Sequence, residues 1–415
     1  VNDLDWAFHA GDADVLEALA TGQRGPELRA YFGAAGAAGL ATLAAAAARA
    51  PRRPGPPVLI VPGIMGSRLG TAAPRREAGA GMIWFEPAAI SAGRLAELAL
   101  PAPLPQPQDL RVQPRGLQLF TYARLILQLR LEGFGVATHP YDWRLGLDVL
   151  GAQLAARIAA MPGPVVLIGH SMGGLVARMA LAGLPRRQVR RLILVGTPNH
   201  GSFAAVQALR GTYRFVRKVS RLDPQASADA LTAQVFHTFT GLYHLLPAGG
   251  ARGVADVCRP ECWPSRGIRP DPDQLARVAA VRAALAPPDA RMVQIVGFNC
   301  PTVTGIAAGP GGLGYRMGWR GDGTVPLDMA RLPGLPTYYA TELHARLPCN
   351  GDVIRAIIGL LRRGRTDALP QRGHSRRTPL PDLDDAQLRR LGRGKIDWRQ
   401  LDARQREAVL ADLNS

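Results

Sequence analysis

The sequence predicts an α/β protein: a mostly parallel sheet with helices on both faces and an inserted cap above the strand ends. Three observations carry that prediction. Short apolar, β-branched runs alternate with segments of helical period from residue 57 to residue 200, the pattern of repeated strand–helix–strand units. One of those runs, Pro164-Val-Val-Leu-Ile, leads into Gly169-His-Ser-Met-Gly173 and at once into the helix-like Gly174-Leu-Val-Ala-Arg-Met-Ala-Leu. The alternation is lost over about 200–290 and resumes at Arg291, as an insertion between two strands requires.

Residues 1–50 read as an N-terminal helical segment, with one helix from Asp12 to Ala20 and another from Pro26 to Ala50. Pro51-Arg-Arg-Pro-Gly-Pro-Pro57 ends it, because proline lacks the N–H a continuing helix needs. Val58 to Val61 is a short buried strand that stops at Pro62-Gly63, and the Pro-rich passage Pro101 to Pro114 is loop. Leu117 to Leu131 has helical spacing, Gly135 to His139 is strand-like, and a helix from about Leu147 to Ala160 leads to the strand before Ser171. Val189 to Val195 supplies the next strand. The insertion mixes helix and loop, and such segments act as caps over the carboxyl edge of an open sheet. Arg291 to Gly297 restores the sheet, Tyr315 to Arg320 is strand-like, and Gly351 to Leu361 is a final helix. The α/β domain therefore spans 51–365. Residues 366–415 form a basic C-terminal tail, charged and loop-like, with a short polar helix.

Composition narrows the class. Hydrophobic residues make up 47% of the 415 and the mean hydropathy is near zero, the balance of a globular chain with a real core. The most apolar N-terminal stretch, Ala34 to Ala50, is mostly alanine and glycine, ends among arginines and follows an acidic segment, which does not match a signal peptide. The expectation is a cytoplasmic protein. Its formal charge of +18 would draw it to anionic partners, including the headgroups of a membrane surface touched peripherally. Nucleic acid is not expected: only Lys218 and Lys395 of the 50 basic residues are lysines, and no zinc-finger spacing or aromatic RNA-binding pattern accompanies the charge. Cys258 and Cys262, in Cys-x3-Cys without a nearby histidine, read as a free thiol pair ahead of a local disulfide, with metal third.

The Gly169-x-Ser171-x-Gly173 turn is where chemistry concentrates. A strand-to-helix turn this sharp lifts a serine hydroxyl clear of the sheet, and its glycines let neighbouring backbones pass close. A serine nucleophile needs a base, and the base a carboxylate to orient it. Among the downstream histidines, His344 alone follows the last strand and precedes the final helix; His200, His237, His244 and His374 do not. Asp322, at the apex of Gly321-Asp-Gly-Thr-Val-Pro326, is preferred to Asp328 for its glycine flanks. The oxyanion donors are expected to be Met172 N–H, at the start of the new helix, and Ile64 N–H, in the glycine-rich loop Pro62-Gly-Ile-Met-Gly-Ser67.

These pieces carry a resemblance. Val61-Pro-Gly-Ile-Met-Gly-Ser67, Trp84, Tyr141-Asp-Trp-Arg-Leu145, Gly169-His-Ser-Met-Gly-Gly174, Gly196-Thr-Pro-Asn-His-Gly-Ser202, Leu245-Leu-Pro247, Gly321-Asp-Gly-Thr-Val-Pro326 and His344-x-x-Leu347-x-x-Asn350 occur in the order seen in lecithin:cholesterol acyltransferase-like proteins. The chain resembles that family over roughly residues 57–361. The resemblance implies an α/β-hydrolase fold with Ser171, Asp322 and His344 acting on lipid acyl esters, and no metal or organic cofactor. It also implies that Trp84 and Met65 contact substrate, although an apolar tryptophan is more often simply buried, whereas Tyr141, Asp142, Trp143 and Arg144 read as structural support. One departure is plain: Gly70 to Met82 holds no cysteine to close the disulfide lid of the animal members. The function expected is thus a serine acyl hydrolase or O-acyltransferase on phospholipid-type esters. Alternatives are a carboxylesterase or polyester hydrolase, or a non-catalytic binding protein on the same fold. Tyr213 to Leu222, which mixes basic and apolar residues, reads as a partly packed helix face ahead of a membrane contact.

Overall fold

The computed structural model describes residues 3–71, 81–248, 256–309, 312–376, 378–390 and 394–413. Six strands form its central sheet: β1 (Val58–Val61), β2 (Val136–Thr138), β3 (Val165–His170), β4 (Val189–Val195), β5 (Met292–Gly297) and β6 (Thr337–Ala340). Their order is β6-β5-β4-β3-β1-β2, and every pairing is parallel. Successive residues of a strand point to opposite faces, yet all of β1, β3 and β5 are buried, so both faces of the sheet are covered. Helices Leu119–Leu131, Leu147–Ala159, Met172–Ala182 and Gly351–Arg363 intersperse with these strands along the chain.

The strand order places the site. The chain lays β2 on one side of β1, crosses to put β3 on the other side, and then adds β4, β5 and β6 outward in that direction. The reversal between β1 and β3 opens a crevice at their carboxyl ends, where ligands bind in open α/β sheets. Between β4 and β5, the described residues of 200–289 hold helices Phe203–Leu209, Arg214–Ser220, Ala228–Gln234, Thr240–Tyr243 and Pro272–Ala283 and no strand.

Several elements differ from the sequence reading. Residues 101–114 do not remain loop to Pro114: Val112–Leu117 is a strand, paired antiparallel with Ser67–Thr71, which also pairs with Met82–Trp84. Pro114 is tolerated because that strand lies at the sheet edge, beside a register shift. The segment from Gly70 to Met82 that was compared with the lid lies, over 72–80, outside the described residues. The strand expected at Tyr315 to Arg320 is the second half of a hairpin, Thr302–Gly309 with Gly312–Gly318. Its first half, rich in Gly, Ala and Thr, gave no apolar alternation to read. The single helix expected over Pro26 to Ala50 is two, Gly25–Phe32 and Ala34–Arg49, bent by 117° at Gly33. No single helix among the described residues is long and apolar enough to cross a membrane.

The described N-terminal and C-terminal regions both pack on the body. Asp12 accepts from Arg68, which is almost fully buried, at 2.7 Å and from Leu117 N–H at 2.9 Å, tying the N-terminal helices to the antiparallel sheet. At the other end, Leu383–Asp384 joins the 302–318 hairpin as a third strand. The neighbouring Asp385 is 0% exposed and accepts from Arg210 at 2.7 Å and from Tyr315 Oη at 2.6 Å. The region read as a charged, loop-like tail therefore contributes a buried ion pair. All four cysteines are free thiols; Cys300 is buried and Cys258, Cys262 and Cys349 are partly exposed.

Candidate active site

Ser171 stands between β3 and the helix Met172–Ala182 with φ 52° and ψ −126°. This left-handed backbone is unfavourable for a residue with a Cβ and is held by packing and by Ser171 N–H donating to Val195 O at 2.8 Å. The flanking glycines answer to crowding. A Cβ on Gly173 would lie 2.2 Å from Val61 O, and one on Gly169 would lie 2.6 Å from Gly174 Cα. The turn that the motif predicted is thus closed by backbone-to-backbone contact.

His344 opens a short 3-10 helix, His344–Cys349, just beyond β6, and Asp322 lies in the turn after the hairpin. The two meet at Ser171. His344 Nε2 is 2.8 Å from Ser171 Oγ, and His344 Nδ1 is 2.7 Å from Asp322 Oδ2. Asp322 is 1% exposed and its oxygens divide their work. Oδ1 accepts from Thr324 N–H at 3.0 Å and Val325 N–H at 2.7 Å, which leaves Oδ2 for the imidazole. Asp322 also holds the histidine backbone, its carbonyl accepting from His344 N–H at 2.8 Å. An ionised carboxylate only accepts, so Nδ1 carries the proton and Nε2 turns its lone pair to the serine. Asp328, the competing carboxylate, is exposed and pairs with Arg320 at 2.7 Å. His200 and His237 bond to main-chain carbonyls elsewhere, His244 accepts from Leu147 N–H, and His374 is exposed.

The loop after β1 runs directly against this group: a Cβ on Gly63 would lie 2.9 Å from Ser171 Cβ. Both expected oxyanion donors, Ile64 N–H and Met172 N–H, are left without a protein acceptor among the described residues. The Tyr141–Leu145 stretch braces the loop at both ends. Tyr141 Oη donates to Pro62 O at 2.7 Å, and Ser67 accepts Trp143 Nε1–H at its carbonyl (3.0 Å) and Tyr141 N–H at its Oγ (3.0 Å). Arg144 and Asp142 form a buried, two-pronged pair at 2.8 and 2.6 Å, and Arg144 also donates to Leu98 O and Val112 O.

Of the two places open to it, beside the substrate or simply buried, Trp84 takes the buried one. It is 1% exposed, lies edge-to-face against Trp143 and Phe215, and donates from Nε1 to Met65 O at 3.0 Å. In this conformation it is a wall behind the loop, and its surface is already covered by aromatic neighbours. Met65, with φ 62°, and Ile64 are half-buried in the loop itself.

Sequence reasoning missed a second hydrogen-bonded chain. Gly63 N–H donates to Tyr122 Oη at 2.9 Å, Tyr122 Oη lies 2.9 Å from His170 Nδ1, and His170 Nε2 lies 3.1 Å from His344 O. One assignment satisfies every member: Tyr122 gives its proton to Nδ1, and Nε2–H donates to the carbonyl. Burial, reinforced by the nearby His344, pushes the His170 pKa down to about 3, so the ring is neutral as that assignment requires. The chain links the loop beside Ser171 to the backbone of His344. Tyr122→Phe should therefore leave Gly63 N–H and His170 Nδ1 unpaired, a loss of about 1–3 kcal/mol in denaturant unfolding. It should also lower kcat severalfold on a soluble ester with little change in KM; an unchanged kcat would leave Tyr122 a packing residue.

A serine, an imidazole and a carboxylate hydrogen-bonded in this order are the groups that nucleophilic acyl transfer uses. No cluster of three or more His, Cys, Asp or Glu side chains suited to a metal ion occurs among the described residues.

A family profile described as a PGAP1-like alpha/beta domain matches residues 152–266, which include β3, Ser171 and β4. No curated protein matches the chain in sequence. Among solved structures, a chain of the Tle4–Tli4 complex is 14% identical, with 72% of this chain and 96% of that one covered and a TM-score of 0.43. The mature Bacillus licheniformis lipase BlEst2 is 15% identical over 75% of this chain and 92% of that one, with a TM-score of 0.34. With its parallel sheet, its strand-to-helix serine turn and the matched domain, the chain has an α/β-hydrolase fold.

Proposed function

We propose that this protein is a serine acyl hydrolase or O-acyltransferase acting on lipid acyl esters. Ser171 attacks, His344 takes and returns the proton, and Asp322 orients His344. The observation that carries the proposal is the single imidazole bridging Ser171 Oγ at 2.8 Å and Asp322 Oδ2 at 2.7 Å. In the first half-reaction Ser171 Oγ bonds to the ester carbonyl carbon as its proton passes to His344 Nε2, and the oxyanion is met by Ile64 and Met172 N–H. Collapse breaks the bond to the alcohol, which leaves with the proton from Nε2. Water or an acceptor alcohol then reverses these steps and releases the acyl group. Support for a lipid substrate comes from the ordered lecithin:cholesterol acyltransferase-like motifs, above all Tyr141-Asp-Trp-Arg-Leu145 and the loop it braces. A net charge of +18 favours work at an anionic membrane surface.

Two measurements test the proposal. A fluorophosphonate probe should add once per chain, at Ser171, and fail to add at a comparable rate to His344→Ala. Absence of any adduct on the folded wild type would point instead to a non-catalytic binding protein. Mass spectrometry of products from phospholipid vesicles, with and without alcohol acceptors, should show free fatty acid or a new acyl ester. Turnover confined to short soluble esters would move the substrate class to carboxylesterase.

A further inference from the structure

Of the motif His344-x-x-Leu347-x-x-Asn350, the reaction proposed above uses only the histidine. His344 opens a six-residue 3-10 helix, His344–Cys349, with Pro348 inside it. Runs of 3-10 helix beyond three or four residues are uncommon because their hydrogen bonds are poorly aligned, and proline contributes no N–H. A base carried on such a segment needs support from outside it.

Three supports are present. At the triad, His344 N–H donates to Asp322 O at 2.8 Å, and His344 O lies 3.1 Å from His170 Nε2. In the core, Leu347 is fully buried against the turn after β4, where a Cβ on Gly196 would lie 2.7 Å from Leu347 Cδ1 and 3.3 Å from His344 Nδ1. At the two ends of the segment, Glu342 and Asn350 close on each other, Asn350 Nδ2–H donating to Glu342 Oε2 at 3.0 Å.

Each member of this clasp has a second task. Glu342 Oε1 accepts from Leu343 N–H at 2.9 Å, immediately before His344, and the exposed Arg346 lies 3.7 Å from it. Asn350 Oδ1 accepts from Asp352 and Val353 N–H at 2.9 and 3.0 Å, capping the helix Gly351–Arg363. That helix is fixed in the body by buried Val353, Ile354, Ile357 and Leu360. Capping uses only the oxygen, and aspartate would cap as well. The amide nitrogen serves Glu342, and since a carboxylate only accepts, the pair has one assignment.

We propose that Glu342 and Asn350 are positioning residues for His344. The inference rests on the reading of His344 as the base for Ser171. Their hydrogen bonds go to the ends of the segment and not to the reacting atoms, so they act by fixing where the imidazole stands. A displacement of about 1 Å costs on the order of 10²-fold in rate.

Exchanging the two polar roles tests the proposal. Asn350→Asp keeps the cap and sets a carboxylate oxygen against Glu342. Glu342→Gln keeps an acceptor for Leu343 N–H and sets an amide N–H₂ against that of Asn350. Each should lower kcat on a soluble ester at least about tenfold, with KM within about twofold of wild type. In the double variant donor and acceptor change places, the cap and the Leu343 bond are kept, and kcat should return to within about threefold of wild type. Fluorophosphonate should still add at Ser171 in every variant, at rates that follow kcat. Wild-type kcat in both single variants, even with lowered melting temperatures, would overturn the clasp, as would a double variant no faster than the slower single one. A folded wild type that takes no fluorophosphonate would instead overturn the reading of Ser171 on which the clasp rests.

Discussion

Ser171→Ala is expected to lower kcat for ester cleavage on the order of 10⁶-fold, with a residual rate still about 10³–10⁴ above water. The size follows from what is removed and what stays. The substitution deletes the oxygen proposed to form the acyl-enzyme. Gly63 remains against the site, as do the Ile64 and Met172 N–H groups that would hold the oxyanion. Folding should be nearly indifferent. Alanine inherits the same φ of 52°, so no new backbone strain is added, and the only side-chain hydrogen bond lost among the described residues is that to His344. A melting temperature close to wild type, kcat on a nitrophenyl ester and loss of fluorophosphonate labelling are the three readouts. Activity retained to within tenfold in a folded variant would remove Ser171 from the reaction.

The parts of this arrangement that could be read from sequence are those whose signal is local. The turn around Ser171 announces itself because its glycines are forced by backbone crowding within five residues and by β1 beside it. Asp322 separates from Asp328 because only the former sits in a glycine-flanked turn whose own N–H groups bind the carboxylate. His344 follows from chain order. What stayed hidden depends on partners distant in sequence. Tyr122 occupies an ordinary apolar helix, and its role exists only through His170, 48 residues away, and Gly63, 59 residues away. Asp385 looked like one more charge in a basic tail until Arg210, 175 residues earlier, closed on it. Trp84 shows the reverse limit: the resemblance marks its position, while its atoms face inward, toward Met65 O and three aromatic rings. Apolar runs and turn chemistry encode strands and sharp bends, but a long-range polar contact leaves no periodicity to detect.

Asp322→Asn isolates orientation from everything else the carboxylate does, and is expected to lower kcat about 10⁴-fold near neutral pH. The turn dictates how the asparagine sits. Its carbonyl oxygen is the only group that can accept from Thr324 and Val325 N–H, so the amide nitrogen must occupy the Oδ2 position facing His344 Nδ1. Two donors cannot share that bond. Nδ1 gives up its proton to become an acceptor, and the proton moves to Nε2, where it points at Ser171 Oγ and cannot receive the serine's own. The base is present, correctly placed and in the wrong tautomer. Because the turn bonds are retained, stability should change little and KM for a soluble ester should stay near wild type. Asp322→Ala, by contrast, removes both turn bonds and should lose stability as well as rate. Asp328→Asn, in the exposed pair with Arg320, should leave both unaltered. If Asp322→Asn kept its rate to within tenfold, Asp322 would be a turn-former whose 2.7 Å approach to His344 has no part in the chemistry.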